Sequence, residues 1–256
     1  LGDTTLKKQI CKVLSIILVG TTLLGACSKK EEEKKVLVMG TSADYAPFEY
    51  VDTANGEKIV GIDVEIAENI AEELGYELKI KDMDFNSLIP ALKSDKIDFA
   101  IAGMNATEKR KKTVDFTDTY YVASNFIMSH EGHITKLEDL KGKTVGVQLG
   151  SVQEEYAKEL EKEYGIKIEA RNRVSDAVQE LKAERVDAVI IEDSVSTGYL
   201  EKNSDLKGFK IEGDTAEGYA IALKKNSELT KEFNEALKNL EESGELKQIF
   251  EKYFNK

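Results

Sequence analysis

Gly61-Ile62-Asp63-Val64-Glu65-Ile66-Ala67-Glu68-Asn69-Ile70-Ala71-Glu72-Glu73-Leu74-Gly75 is followed, after Tyr76, by Glu77-Leu78-Lys79-Ile80-Lys81. Ile62, Ile66, Ile70 and Leu74 recur every four residues with Glu65, Glu68, Glu72 and Glu73 between them. That spacing predicts an amphipathic helix stopped by Gly75, and the next segment reads as a strand. Upstream, the apolar run Val36–Met39 ends in the turn-rich Gly40-Thr41-Ser42-Ala43-Asp44. Downstream, a helix is predicted near Ser87–Leu92 and a strand at Phe99–Ala102. Strand–helix–strand order needs crossovers, so a largely parallel, helix-covered sheet is expected.

A second set follows Tyr120-Tyr121. Strands are predicted at Thr144–Gln148, Lys167–Arg171 and Ala188–Ile191, with helices at Ser151–Tyr164, Val174–Ala183 and from about Ser194. Helices Ser227–Ser243 and Glu245–Tyr253 finish the pattern, with Gly244 between them. There is no repeat at solenoid periods. Two α/β lobes are the simplest account, and a cleft between two lobes is a common place for a small ligand.

The 256 residues carry 36 Lys+Arg against 48 Asp+Glu, a formal net charge of −12. Polyphosphate affinity rests on Lys and Arg, so a general nucleic-acid binder is not expected. Two cysteines cannot build a disulfide scaffold. The N-terminus differs from the rest. Lys7, Lys8 and Lys12 precede the uncharged run Val13–Leu24. As a helix it would rise only about 18 Å, against roughly 30 Å of hydrocarbon. A basic region, a short apolar region and small residues read as an export signal. Its end, Leu24-Gly25-Ala26-Cys27, resembles the lipobox of bacterial lipoproteins. The resemblance implies cleavage before Cys27 and acylation of its thiol; a plain secretory signal is the alternative. Cleavage would remove Cys11, three lysines and one aspartate, taking the net charge to −14. The apolar-free stretch Ser28–Lys35 then reads as a solvated tether.

Several ordered motifs resemble the polar amino-acid substrate-binding proteins of ABC importers, family 3 of the bacterial extracellular solute-binding proteins. They are Gly40–Tyr50, Val60-Gly61-Ile62-Asp63-Val64, Asp82-Met83-Asp84-Phe85, Leu88–Leu92, Ala102-Gly103-Met104, Thr107–Lys112 and Val114–Asp118. Gly146–Ser151 and Val186–Ile191 carry the likeness into the second lobe. The resemblance implies an α/β, two-lobed periplasmic-binding-protein-like fold (type II), lobe one interrupted by lobe two, with the ligand cleft between them. The expected organisation is a signal peptide at 1–26, lipidated Cys27 and tether at 27–35, lobe one at 36–122 and 219–256, and lobe two at 123–218. Two crossings make a hinge, and the ligand closes the lobes by touching both.

The resemblance also implies a site for a zwitterion. Arg110 matches the family's carboxylate-binding arginine, as an α-carboxylate wants a guanidinium and backbone N–H donors. Gly103 and Asn105 would add backbone and amide contacts, although most relatives carry Thr or Ser at the second position. Gly150-Ser151 lies where a strand gives way to a helix, so the Ser151 amide could meet the carboxylate while its hydroxyl caps the helix. Gln148 would reach the ligand's side chain. The ammonium would meet Glu192 or its neighbour Asp193; strand alternation lets only one of them point into the cleft. Tyr45 and Phe85 match the rings that sandwich the side chain. Ser42 stands where relatives for basic or amide side chains often have aspartate, and Asp44 immediately precedes Tyr45. The expected partners are a free polar L-amino acid (arginine or lysine, glutamine, or cystine-like), importer permease subunits, and the membrane through the lipid anchor. The expected place is the outer face of the cytoplasmic membrane or the periplasm, and the expected state a monomer.

Among enzyme motifs, the sequence carries no nucleophile elbow, P-loop, HExxH or dinucleotide fingerprint. His130 and His133 read as a solvated loop, since a metal site would need a third ligand. No cofactor or metal is expected. Two alternatives stand beside the transport reading: a cyclohexadienyl-dehydratase-like enzyme on the same scaffold, with Glu192 as its acid, and a ligand-sensing module.

Overall fold

The computed structural model describes residues 35–211 and 217–255. The export segment, Cys27 and nearly all of the tether lie outside the described residues, as does the centre of the second crossing. In chain order the first elements are β1 (Val36–Thr41), β2 (Asp44–Tyr45), β3 (Glu49–Asp52), β4 (Lys58–Val60), α1 (Ile62–Glu73), β5 (Glu77–Asp82), α2 (Leu88–Lys93), β6 (Phe99–Ala100), α3 (Glu108–Lys111) and β7 (Val114–Phe116). Then come β8 (Asn125–His130), β9 (Thr144–Gln148), α4 (Val152–Tyr164), β10 (Lys167–Arg171), α5 (Val174–Lys182), β11 (Ala188–Glu192), α6 (Asp193–Lys202) and β12 (Leu206–Lys210). The chain closes with β13 (Ala222–Lys224), α7 (Leu229–Ser243) and α8 (Glu245–Phe254).

Two five-stranded sheets form, ordered β5-β1-β6-β13-β7 and β10-β9-β11-β8-β12, with a small antiparallel sheet β2-β3-β4 beside the first. In each large sheet one strand runs against the other four: β13 in the first, β8 in the second. Each sheet is thus largely parallel, as expected, with one opposing strand that the strand–helix–strand order did not foretell. Both opposing strands are the first laid down after the chain crosses between lobes. A chain arriving from the other lobe has no helical crossover to complete, so nothing forces it parallel.

The predicted helix over Ile62–Leu74 forms and buries Ile62, Ile66 and Ile70 against sheet one. Each such side chain stabilises the fold by about 1.5–3 kcal/mol when fully buried. Packing of α7 is led by Phe233, 4.9 Å from Phe99 between ring centres. In lobe two, Ala157 and Leu160 of α4 pack on Val145, Val147 and Ile190. The two crossings pair with each other. Tyr219 N–H donates to the Tyr121 carbonyl (2.8 Å), and Tyr120 N–H to the Tyr219 carbonyl (2.9 Å). His130 is not in a solvated loop but ends β8, with Nε2 3.1 Å from the Leu181 carbonyl and Nδ1 3.3 Å from Asp205 Oδ2. Among the described residues, no cluster of three or more His, Cys, Asp or Glu could hold a metal ion.

Candidate functional site

Glu192 lies where the lobes meet, bonded across the interface by Tyr45. β11 is buried along its whole length, and the Glu192 side chain at its end is 1% exposed. Tyr45, at the end of β2, and Tyr219, on the return crossing, both donate their hydroxyls to Glu192 Oε2. Oε1 has no hydrogen-bond partner. Burial outweighs the hydrogen bonds and lifts the Glu192 carboxyl to about 7. Asp193 turns the other way. Its Oδ1 accepts from the Ser124 and Ser194 amides (3.2 and 2.8 Å), and Oδ2 accepts from Lys210 Nζ (2.8 Å). Of the two neighbouring acids, Glu192 is the one hydrogen-bonded by lobe one, through Tyr45, while Asp193 is held by lobe two, through Lys210.

Arg110 forms the opposite wall. Thr107 caps α3 by accepting the Arg110 amide (3.2 Å), which aims the side chain along the lobe interface. Nη1 donates to the Asn105 carbonyl (2.8 Å) in lobe one, and Nη2 to the Gly150 carbonyl (2.9 Å) in lobe two. The guanidinium lies 5.3 Å from the centre of the Phe85 ring. Burial lowers it to about 10. Among the described residues no carboxylate pairs with it. Glu155, Glu192 and Glu217 act on it through their fields, but its hydrogen bonds go to neutral carbonyls, which leaves it able to bond an anion.

A cavity of about 260 Å³ opens beside Arg110, lined by Ile89, Thr107, Gly150, Ser151 and Glu155 among others. Gly150 has φ +80°, and a Cβ there would come within 3.0 Å of Asn86 Cβ, so only glycine lets the loop approach lobe one. Ser151 lines the cavity, but here its amide points at the Gln148 carbonyl (3.3 Å). Its hydroxyl accepts the Glu154 amide (3.1 Å), which makes it the cap of α4. Gln148 is buried, with Nε2 3.5 Å from the Asn172 carbonyl.

Gly103 N–H donates to Asp63 Oδ2 (2.8 Å), whose Oδ1 accepts the Tyr120 hydroxyl (2.9 Å). Burial raises Asp63 to about 6. Gly103 also carries the Tyr45 ring 3.1 Å from where its own Cβ would stand. Asn105 sends Nδ2 to the Glu217 carbonyl (2.5 Å), so its amide side chain fastens the return crossing while its backbone carbonyl holds Arg110. Ser42 and Asp44 sit at the far end of the cleft. Asp44 Oδ2 accepts the Ser175 amide of lobe two (2.8 Å), and Ser42 Oγ lies 3.4 Å from Asp44 Oδ1. Thus Asp44 is engaged by lobe two rather than left open beside Tyr45.

Sequence reasoning missed Tyr219 and Arg173. Tyr219 carried a weak signal, as an aromatic at the expected return crossing. Arg173 carried none, because its partners lie more than 80 residues away in the chain.

Two lobes joined by paired crossings, with an arginine bonded to carbonyls and a buried acid brought together at their interface, define a solute-binding protein of the type II two-lobed class. A relative from Bacillus subtilis (strain 168), the arginine-binding extracellular protein ArtP, is 55% identical over 241 residues, covering 91% of this chain and 93% of the relative. Structures of an ancestral arginine-binding protein, one bound to arginine and one to glutamine, each match with a TM-score of 0.81 and 42% identity, covering 87% of this chain and 99% of theirs. The chain belongs to the bacterial extracellular solute-binding proteins, family 3, whose family model matches residues 37–256.

Proposed function

We propose that this protein captures free L-arginine in the interlobe cleft and delivers it to the membrane subunits of an ABC importer, without turnover. The carrying observation is a pair of opposite charges at the lobe interface with bonding capacity to spare: Arg110, whose hydrogen bonds go to carbonyls and not to a carboxylate, and Glu192, whose Oε1 accepts no hydrogen bond. A free amino acid supplies the complementary carboxylate and ammonium in one molecule. In this reading Arg110 takes the carboxylate, Glu192 the ammonium, and Tyr45 and Phe85 flank the side chain; Gly103, Asn105, Gln148 and Ser151 complete the wall. Asp193 shapes lobe two without touching the ligand. The arginine preference rests on the 55%-identical arginine-binding relative and the arginine-bound structure. Lysine, glutamine and cystine remain the competitors.

Calorimetry with L-arginine, L-lysine, L-glutamine, L-cystine and agmatine tests this. L-Arginine should bind tightest, and agmatine, which lacks the carboxylate, should bind at least tenfold more weakly. Equal affinity for agmatine would remove the zwitterion reading. Prephenate or arogenate loss above a heat-killed control would favour the dehydratase alternative.

The proposal extends to the whole chain: a signal peptide over 1–26, a lipidated Cys27 with a tether to residue 35, lobe one over 36–122 and 219–256, lobe two over 123–218, and a monomer at the outer face of the cytoplasmic membrane or in the periplasm. The basic–apolar–lipobox order supports the anchor. Expressed in a bacterial host, Cys27→Ser should move the protein from the membrane fraction to the soluble fraction. Unchanged membrane retention would mean that the anchor lies elsewhere.

A further inference from the structure

The acids at the far end of the cleft have one cation between them, and it comes from the other lobe. Arg173 stands between β10 and α5 in lobe two. Its Nη1 and Nη2 lie 2.8 and 3.0 Å from the two oxygens of Asp82, at the end of β5 in lobe one. Nε lies 3.3 Å from Asp84 Oδ1, and Nη1 lies 3.9 Å from Asp44 Oδ1 and 3.4 Å from Ser42 Oγ. The same loop adds Asn172 Nδ2 to Asp84 Oδ2 (2.9 Å) and the Ser175 amide to Asp44 Oδ2 (2.8 Å). Every donor belongs to lobe two and every acceptor to lobe one. Asp82 is also fixed from its own lobe, by the Ala43 amide on Oδ1 (2.9 Å). Among the described residues, Asp44, Asp82 and Asp84 have no cation from lobe one.

We propose that Arg173 is an interlobe latch that sets the balance between open and closed cleft, and thereby the affinity for a solute it does not touch. The proposal rests on the reading that a solute is held between the lobes. Separation of the lobes would break the bidentate Arg173–Asp82 pair and leave three aspartates together with no compensating charge. Closure removes that repulsion before any solute arrives. A contact made only in the closed state raises apparent affinity by the factor through which it shifts the equilibrium. The planar guanidinium fork matters here, because it spans both Asp82 oxygens while also reaching Asp84. At the other end of the cleft Lys109 pairs with Glu155, but the lysine side chain there is 79% exposed against 22% for Arg173. Of the two, Arg173 is the less screened contact.

The test combines calorimetry with small-angle X-ray scattering on Arg173→Ala, Arg173→Lys, Asp82→Asn and the Arg173→Ala/Asp82→Asn double variant. Arg173→Ala should weaken L-arginine binding about tenfold, with Arg173→Lys intermediate and the double variant little worse than either single one. Without solute, the radius of gyration of Arg173→Ala should exceed the parent's, and with saturating solute the two should converge. Added salt should weaken the parent more than Arg173→Ala. Unchanged affinity and unchanged scattering would overturn the latch. Tighter binding by Arg173→Ala would also overturn it, showing that Arg173 competes with the ligand's cation for the acids. Should the parent bind none of the amino acids, the functional reading fails, while the scattering of the solute-free variants still decides the latch.

Discussion

Arg110→Ala is expected to weaken amino-acid binding by roughly 30-fold to several-thousand-fold, equivalent to about 2–5 kcal/mol for losing a charged hydrogen-bond partner in a closed site. The size follows from where the charge sits. Burial already lowers the guanidinium to about 10, and its partners in the structure are the neutral carbonyls of Asn105 and Gly150. A carboxylate brought beside it would meet a cation that is not ion-paired, in a poorly solvated wall, so the pair should be worth more than an exposed ion pair. Arg110 also joins the two lobes through those carbonyls, so part of the loss should come from weaker closure. Arg110→Lys separates the two contributions. A lysine keeps the charge but cannot span both carbonyls and a carboxylate with one planar fork. It should therefore fall between parent and alanine in calorimetry. Near-parental affinity in Arg110→Ala would remove the carboxylate role altogether.

Glu192→Gln should abolish tight binding of the ammonium while making the solute-free fold more stable above neutral pH. The folded chain holds the Glu192 proton up to about 7, whereas 4.5 is the ordinary value an unfolded chain would show. Between those values the folded state binds more protons than the unfolded state, so stability contributed at low pH is lost as pH rises through the window. The difference amounts to about 3 kcal/mol. Asp63, raised by burial to about 6, contributes with the same sign. Thermal melts of the solute-free parent should therefore decline from about pH 5 to pH 8, and those of Glu192→Gln should decline less. Binding has the opposite slope, because an ammonium at Oε1 favours the charged carboxylate. The parent should release a proton on binding near pH 6.5, read as a dependence of calorimetric enthalpy on the buffer's ionisation enthalpy, and affinity should fall on acidification below about 7. Asp193→Ala is the control. It should cost stability, through the Lys210 pair and the Ser194 amide, and leave affinity near the parent's. A large loss of affinity in Asp193→Ala with none in Glu192→Gln would reverse the assignment.

The local elements were legible because local physics sets them. Four-residue spacing of isoleucines fixed α1, and Gly244 separated α7 from α8 with its left-handed φ of +82°. Strands β9 and β10 form at their predicted limits. The two-lobed class was legible through ordered motifs, and the same motifs, by their fixed offsets, singled out Arg110, Glu192, Tyr45 and Phe85 as the residues expected at a site. Other features depended on long-range geometry. The reversed direction of β8 and β13 follows from which lobe the chain has just left, a property of the path and not of any window of residues. Glu192 and Asp193 are adjacent acids, alike to any local reading. Only the fold sends one under two tyrosine hydroxyls and the other to Lys210, because Glu192 ends β11 beside the return crossing while Asp193 opens α6 within reach of the end of β12. Asp44 looked free to meet a cation until lobe two closed over it with Ser175 and Arg173. The amino-acid sequence by itself determined which segments are helices and strands and which side chains carry charge. The tertiary structure alone decided which charges are compensated, because that depends on partners brought together from lobes built by distant parts of the chain.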